Sequence, residues 1–165
     1  YSASKASADM LVRSYFKTYG LNITISISSN NYGKNQNNEK LIPKIISNLK
    51  NNKNMSIYGD GSNVRNWLHV LDNSSEIDLI FNHSEGGESY NIGSDDELTN
   101  LDVFKIIYCT LFGDKNYSKK IIFTNDRPGH DYRYSVNSDK IKSRLKWDTL
   151  YTFGDEIKKI IKLYK

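Results

Sequence analysis

Residues 1–33 read YSASKASADMLVRSYFKTYGLNITISISSNNYG, and the succession of patterns inside this stretch decides the fold class. Ala3, Ala6, Met10, Leu11 and Tyr15 recur at helical spacing up to Gly20, a residue suited to the left-handed turn that ends a helix. The pattern predicts an amphipathic helix over residues 3–19. Asn22 to Ser28 then alternates strictly, with β-branched residues at every second place, which predicts a strand. That strand runs into the polar cluster Ser29-Asn-Asn-Tyr-Gly33, the kind of strand end where an α/β protein receives a ligand.

The same alternation continues outward along the chain. Leu41, Ile42, Ile45, Ile46 and Leu49 form a helical stripe, with Pro43 tolerable only in its first turn. A strand at 55–58, a Gly59-Asp-Gly-Ser62 turn and an extended run at 64–70 follow. Asp72 is expected to cap a helix whose apolar positions are Ile77, Leu79, Ile80 and Phe81. Residues 89–93 read as a strand. Thr99 with Asp102, and Thr152 with Asp155, have capping-box spacing ahead of two further apolar stripes. Between those stripes lie a strand at 120–124 and a polar loop at 125–133. Without repeats or a linker, residues 1–165 are expected to form a single compact unit of the α/β class. No Gly-x-Gly-x-x-Gly turn occurs, so the glycine-rich half of a dinucleotide-binding unit is not encoded in these residues.

At 165 residues, 38% hydrophobic and 25% charged, the composition excludes a disordered, fibrous or disulfide-stapled chain. Cys109 has no partner for an internal disulfide, and no run approaches the roughly 20 apolar residues of a membrane span. A cytoplasmic setting is expected. The first residues resemble neither a signal nor a transit peptide, and a start at Tyr1 reads as part of a longer protein. The net charge of +4 suits a phosphate-bearing partner, although Lys158, Lys159, Lys162 and Lys165 read as a solvated helix face. No nucleic-acid motif is present. His69, His83, His130 and Cys109 lack metal-ligand spacing, so no metal site is expected. Cys109, Trp67 and Trp147 are expected to fill the core.

Tyr1 and Lys5 stand one helical turn apart on one face. A phenol is a poor base near neutrality, and a neighbouring ammonium favours its ionised form. Asn30 and Asn31 suit either a turn or a ligand contact. Arg65 and Arg127 carry the planar group that grips a diphosphate in a way lysine does not.

Tyr1-Ser-Ala-Ser-Lys5 followed by Ala6-Ser-Ala-Asp9 resembles the catalytic helix of the extended short-chain dehydrogenase/reductases. Ser29-Asn-Asn-Tyr-Gly33, Glu39-Lys-Leu-Ile-Pro43, Ile57-Tyr-Gly-Asp-Gly61 with Arg65-Asn-Trp67, Tyr90-Asn-Ile-Gly93 and Asp126-Arg-Pro-Gly-His130 narrow the resemblance. In order and interval they are similar to the nucleoside-diphosphate-glucose 4,6-dehydratases, more so than to the related epimerases and decarboxylases.

The resemblance implies the C-terminal portion of a Rossmann-like NAD-binding sheet plus a small α/β substrate-binding lobe, with the N-terminal glycine-rich half and the dehydrating Asp–Glu pair elsewhere. It implies that Tyr1 takes the proton of the sugar 4-hydroxyl while hydride leaves C4 for NAD, and that Lys5 holds the nicotinamide ribose. Asn31 is assigned to NAD. The substrate falls to Asn30, Lys40, Leu41, Ser56, Ile57, Tyr58, Arg65, Asn91 and the run Asp126, Arg127, Pro128, Gly129 and His130. The product would be a 4-keto-6-deoxy sugar for a deoxysugar such as rhamnose, and residues 1–165 alone are expected to be inactive. Lys34, Asn38 and Tyr132 depart from the family pattern, which loosens the expected loop from Asn31 to Glu39. A homodimer through the Tyr1–Lys5 helix is expected, with Ala3, Ala6, Met10 and Leu11 bared when the remainder of the protein is missing. A UDP-sugar 4-epimerase or decarboxylase, and a non-catalytic sugar-nucleotide-binding module, are the alternatives.

Overall fold

The computed structural model describes residues 1–114 and 116–164, and its α/β architecture follows from short, mainly parallel strand pairings in three sheets wrapped by helices. Helix α1 (Ser2–Tyr19) ends at Gly20, whose φ of 66° lets its N–H reach back to the Phe16 carbonyl at 2.9 Å. Strand β1 (Ile25–Ser28) pairs in parallel with β5 (Ser89–Ile92). Polar residues 29–33 are not merely a loop. Asn30–Tyr32 forms β2, parallel to β4 (Val64–His69), with Asn30 opposite Trp67 and Asn31 opposite Leu68. Gly33 closes this junction because a side chain there would meet Val70 Cγ1 at 2.5 Å.

Helix α2 (Leu41–Lys50) buries Ile42, Ile45, Ile46 and Leu49, and Pro43 sits in its first turn as expected. Strand β3 (Met55–Tyr58) pairs in parallel with β7 (Ile121–Thr124), Lys120 belonging to the 3-10 turn before it. Helix α3 (Val70–His83) starts earlier than expected. His69 caps it, its Nδ1 accepting from the Leu71 N–H, while Asp72 lies buried inside the first turn and accepts instead from the Leu150 and Tyr151 N–H groups. The face of α3 that is buried carries Asp72, Glu76 and Ile80, so Ile77 and Phe81 point to solvent.

Strand β6 (Glu97–Thr99), which the sequence pattern does not reveal, runs antiparallel to β4. Helix α4 (Asn100–Phe112) begins with the expected capping box: the Asp102 N–H donates to the Thr99 hydroxyl at 2.9 Å and the Asp102 carboxylate accepts from the Thr99 N–H. Strand β8 (Arg133–Tyr134) closes the polar 125–133 segment against β4. A short α5 (Asp139–Leu145) precedes α6 (Phe153–Leu163). At the start of α6 the Thr152 hydroxyl donates to the Asp155 carboxylate at 3.0 Å, so this pair does not form a capping box.

Two apolar clusters hold these elements. The larger joins α2, α4 and α6 with β3 and includes Ile45, Ile46, Phe104, Ile107, Phe153, Ile157 and Trp67. The smaller gathers Leu68, Ile80, Tyr90, Ile92, Ile141 and Trp147 around β5, α3 and α5. Both tryptophans thus fill core space as expected, whereas Cys109 is half-buried. On α6, Lys158 and Lys159 pair with Asp155 and Glu156; Lys162 is exposed and Lys165 lies outside the described residues. Among the described residues no helix is long and apolar enough to cross a membrane.

Candidate functional site

The first turn of α2, the ends of β2 and β3, the middle of β4 and the 125–130 segment converge on a cleft of about 690 Å³. Asn30 and Asn31 enter it from β2, Lys40 and Leu41 from the start of α2, and Ser56, Ile57 and Tyr58 from β3. Arg65 comes from β4, and Arg127 and His130 from the segment after β7. Residues separated by up to a hundred positions are therefore brought to one wall, which is what parallel pairing of β2 with β4 and β3 with β7 accomplishes.

Arg65 is 9% exposed, and its guanidinium donates to the neighbouring Val64 carbonyl at 2.6 Å. Burial pulls its pKa below the usual arginine value. Arg127 pushes the same way, while Asp131 and Asp126 oppose. Two guanidinium groups close enough to repel, one of them buried, favour an anion between them. His130 is nearly covered, its Nδ1 2.6 Å from Asp126 Oδ1, and this hydrogen bond holds the Asp126 carboxyl below the usual range. The Tyr58 and His130 rings meet edge to face, with centroids 6.2 Å apart.

Asn31 is oriented by two bonds: its side-chain amide donates to the Ser29 carbonyl at 3.3 Å, and its own carbonyl accepts from Gln36 Nε2 at 2.8 Å. Its Oδ1 is buried without a partner, as are Ser29 Oγ, Gln36 Oε1 and Trp67 Nε1 on the same wall.

Other predicted residues lie elsewhere. Tyr1 caps α1 and is 94% exposed; Lys5 follows one turn later, also exposed, and neither lines the cleft. Asn91 is exposed on β5 beside Ile27 and does not line it either, because β5 belongs to the other sheet. Of the 126–130 run, Asp126, Pro128 and Gly129 stay outside the lining, Asp126 acting on it through His130. Conversely, Gln36, Asn37, Lys44, Trp67 and Asn100 line the cleft without having been singled out as ligand contacts. The signal for Lys44 was available, one helical turn after Lys40. Trp67 reads as core because it is both, packing on Phe153 while edging the cleft.

Tyr32 and His69, opposite each other at the ends of β2 and β4, are both buried. Burial, with Asp96, Glu156 and Asp72, raises the Tyr32 phenol well above its ordinary value, and burial lowers that of His69. Among the described residues no His, Cys, Asp and Glu side chains gather as a metal site.

A sequence model of the GDP-mannose 4,6 dehydratase family matches residues 1–160. The chain belongs to this family. Within the 4,6-dehydratase family, the dTDP-glucose 4,6-dehydratase of Haemophilus influenzae is 43% identical across 99% of this chain and 51% of its own length. The crystal structure of a dTDP-glucose 4,6-dehydratase from Streptomyces venezuelae, with NAD bound, superposes with a TM-score of 0.94 at 38% identity, over 99% of this chain and 50% of that one. The UDP-glucose 4-epimerase of Thermotoga maritima, TM-score 0.89 over 99% of this chain and 52% of its own, shares the fold at 22% identity. The chain thus spans about half the length of the dehydratases it matches.

Proposed function

We propose that residues 1–165 are the catalytic helix and sugar-nucleotide lobe of an NAD-dependent nucleoside-diphosphate-glucose 4,6-dehydratase, acting on dTDP-glucose or UDP-glucose to give the 4-keto-6-deoxy sugar. The reading rests above all on the cleft, which the buried Arg65 lines together with Arg127, His130 and Tyr58. That is a socket for a diphosphate flanked by groups able to hold a base. Identity to dTDP-glucose dehydratases over nearly the whole chain supports this reaction over the epimerase alternative, whose members share the fold at much lower identity.

In this reading Arg65 and Arg127 take the diphosphate. Asn30, Lys40, Leu41, Ser56, Ile57, Tyr58 and His130 line the path of nucleoside and sugar, with Asp126 orienting His130. Tyr1 removes the proton of the sugar 4-hydroxyl, and Lys5 contacts the nicotinamide ribose. The residues present fit the nicotinamide end of NAD: Asn31 has a buried, unpaired acceptor, and Tyr1 and Lys5 are open on α1. Bound there, NAD supplies a reversible hydride acceptor. No glycine-rich turn for its pyrophosphate occurs in the sequence, so we assign that part of the site to residues outside this stretch. We place the protein in the cytoplasm, with a dimer formed through α1, whose Met10 and Leu11 are more than half exposed.

The test is turnover of dTDP-glucose and UDP-glucose by the protein as encoded in its gene. Formation of a 4-keto-6-deoxy product without added reductant supports the reading; interconversion at C4 alone overturns it in favour of an epimerase. Residues 1–165 expressed by themselves are expected to give no product.

A further inference from the structure

We infer that Lys44 is a further phosphate-binding residue of the cleft, so that the diphosphate is held from the α2 side as well as by the two arginines. The inference rests on the nucleotide reading of the cleft and goes beyond it by naming a cation that the motif resemblance leaves out.

Lys44 and Lys40 are spaced i, i+4 at the start of α2, which places both on the face that borders the cleft, and both line it. Arg65 and Arg127 line the same cleft. Among the described residues no carboxylate forms an ion pair with any of these cations, and Glu39 is the sole acidic side chain on the lining.

The start of α2 adds to the field. Lys40 is its N-cap and contributes no side-chain bond, and the first turn carries no acid. The independent pointer to a ligand is Arg65: a cation nine-tenths buried, donating to one neighbouring carbonyl, in no ion pair, with the fields of Asp131 and Asp126 only partly offsetting its burial and the nearby Arg127. Such an arrangement is costly unless an anion occupies the space between. A diphosphate offers oxygens to several cations lining one cleft, and Lys44, exposed on a long flexible stem, supplies a point charge where arginine gives directed contacts.

The test is calorimetric titration of the encoded protein with dTDP and with thymidine at two salt concentrations. Lys44→Met is expected to weaken dTDP binding about five- to tenfold and to flatten its salt dependence, with thymidine binding and melting temperature unchanged. Lys44→Arg restores affinity to within about twofold. Lys162→Met, which removes the same charge from exposed α6, leaves dTDP affinity unchanged. If Lys44→Met binds dTDP as tightly and with the same salt slope as Lys162→Met, the inference is overturned while the nucleotide reading stands. If the unaltered protein binds neither dTDP nor UDP, that reading is overturned and this inference with it.

Discussion

Helix α1 and the lobe built from α2, α4 and α6 are opposites. The lobe buries a continuous apolar cluster, with Ile45, Phe104, Ile107 and Ile157 wholly or almost wholly covered, and the cleft forms on its rim. Helix α1 has regular geometry and a well-formed glycine stop, yet none of its residues is buried. The comparison separates two requirements. A cleft wall needs rigid backing, which the lobe supplies from its own residues; the i, i+4 spacing of Tyr1 and Lys5, the proposed reactive pair, needs only a helical turn and is kept without packing.

The largest expected effect breaks the chemistry and spares the binding. Tyr1→Phe in the encoded protein should lower kcat for dTDP-glucose by about 10²- to 10⁴-fold. Its dTDP affinity, measured by calorimetry, should stay unchanged because Tyr1 lies outside the cleft. A parallel loss of dTDP affinity would put Tyr1 in the binding wall and erase the distinction between the two regions.

Packing gives the next contrast. Ile157→Ala, at a fully covered position in the lobe, is expected to cost about 2–5 kcal/mol in urea unfolding. Met10→Ala on α1, where 62% of the side chain is already exposed, should change stability by less than about 0.5 kcal/mol in the 165-residue chain. Equal losses at the two sites would mean that α1 is as integral to the core as α6.

How much of this was legible in the sequence differs between the same two regions. Helix α1 and its Gly20 stop were readable because periodicity and cap are local. The stripe of α2 and the Thr99–Asp102 box were readable for the same reason. Helix α3 misled in part because its buried face carries Asp72 and Glu76 at i, i+4, so an apolar count selects the exposed Ile77 and Phe81 along with the buried Ile80. Strands β2, β6 and β8 are two or three residues long and exist through pairing with β4, a long-range fact no local pattern holds. Helix α5 buries Ile141 alone and leaves no stripe to find. In the site, the motif residues of β2, α2 and β3 reached the cleft, whereas Asn91 did not, because adjacency to a recognisable string says nothing of which sheet a strand joins.

The buried acids of α3 give a smaller effect than Ile157→Ala and a pH signature. Glu76 is fully covered with neither oxygen partnered, and burial, reinforced by Asp72, lifts its carboxyl from 4.5 to about 8. The folded chain therefore retains a proton that the unfolded chain releases. The associated stability is full below about pH 4.5 and is lost as the pH rises toward about 8. Glu76→Gln should flatten this decline and raise the unfolding free energy at pH 8, read from urea unfolding, by an amount on the order of 1–3 kcal/mol. An undiminished pH slope in the variant would assign the decline to other groups.

The most direct test of the cleft itself is calorimetric titration of dTDP into the encoded protein and its Arg65→Met variant. If the covered guanidinium is the diphosphate anchor, the variant binds about 10- to 100-fold more weakly while thymidine affinity stays the same. Equal affinity of the two proteins for dTDP would contradict the account.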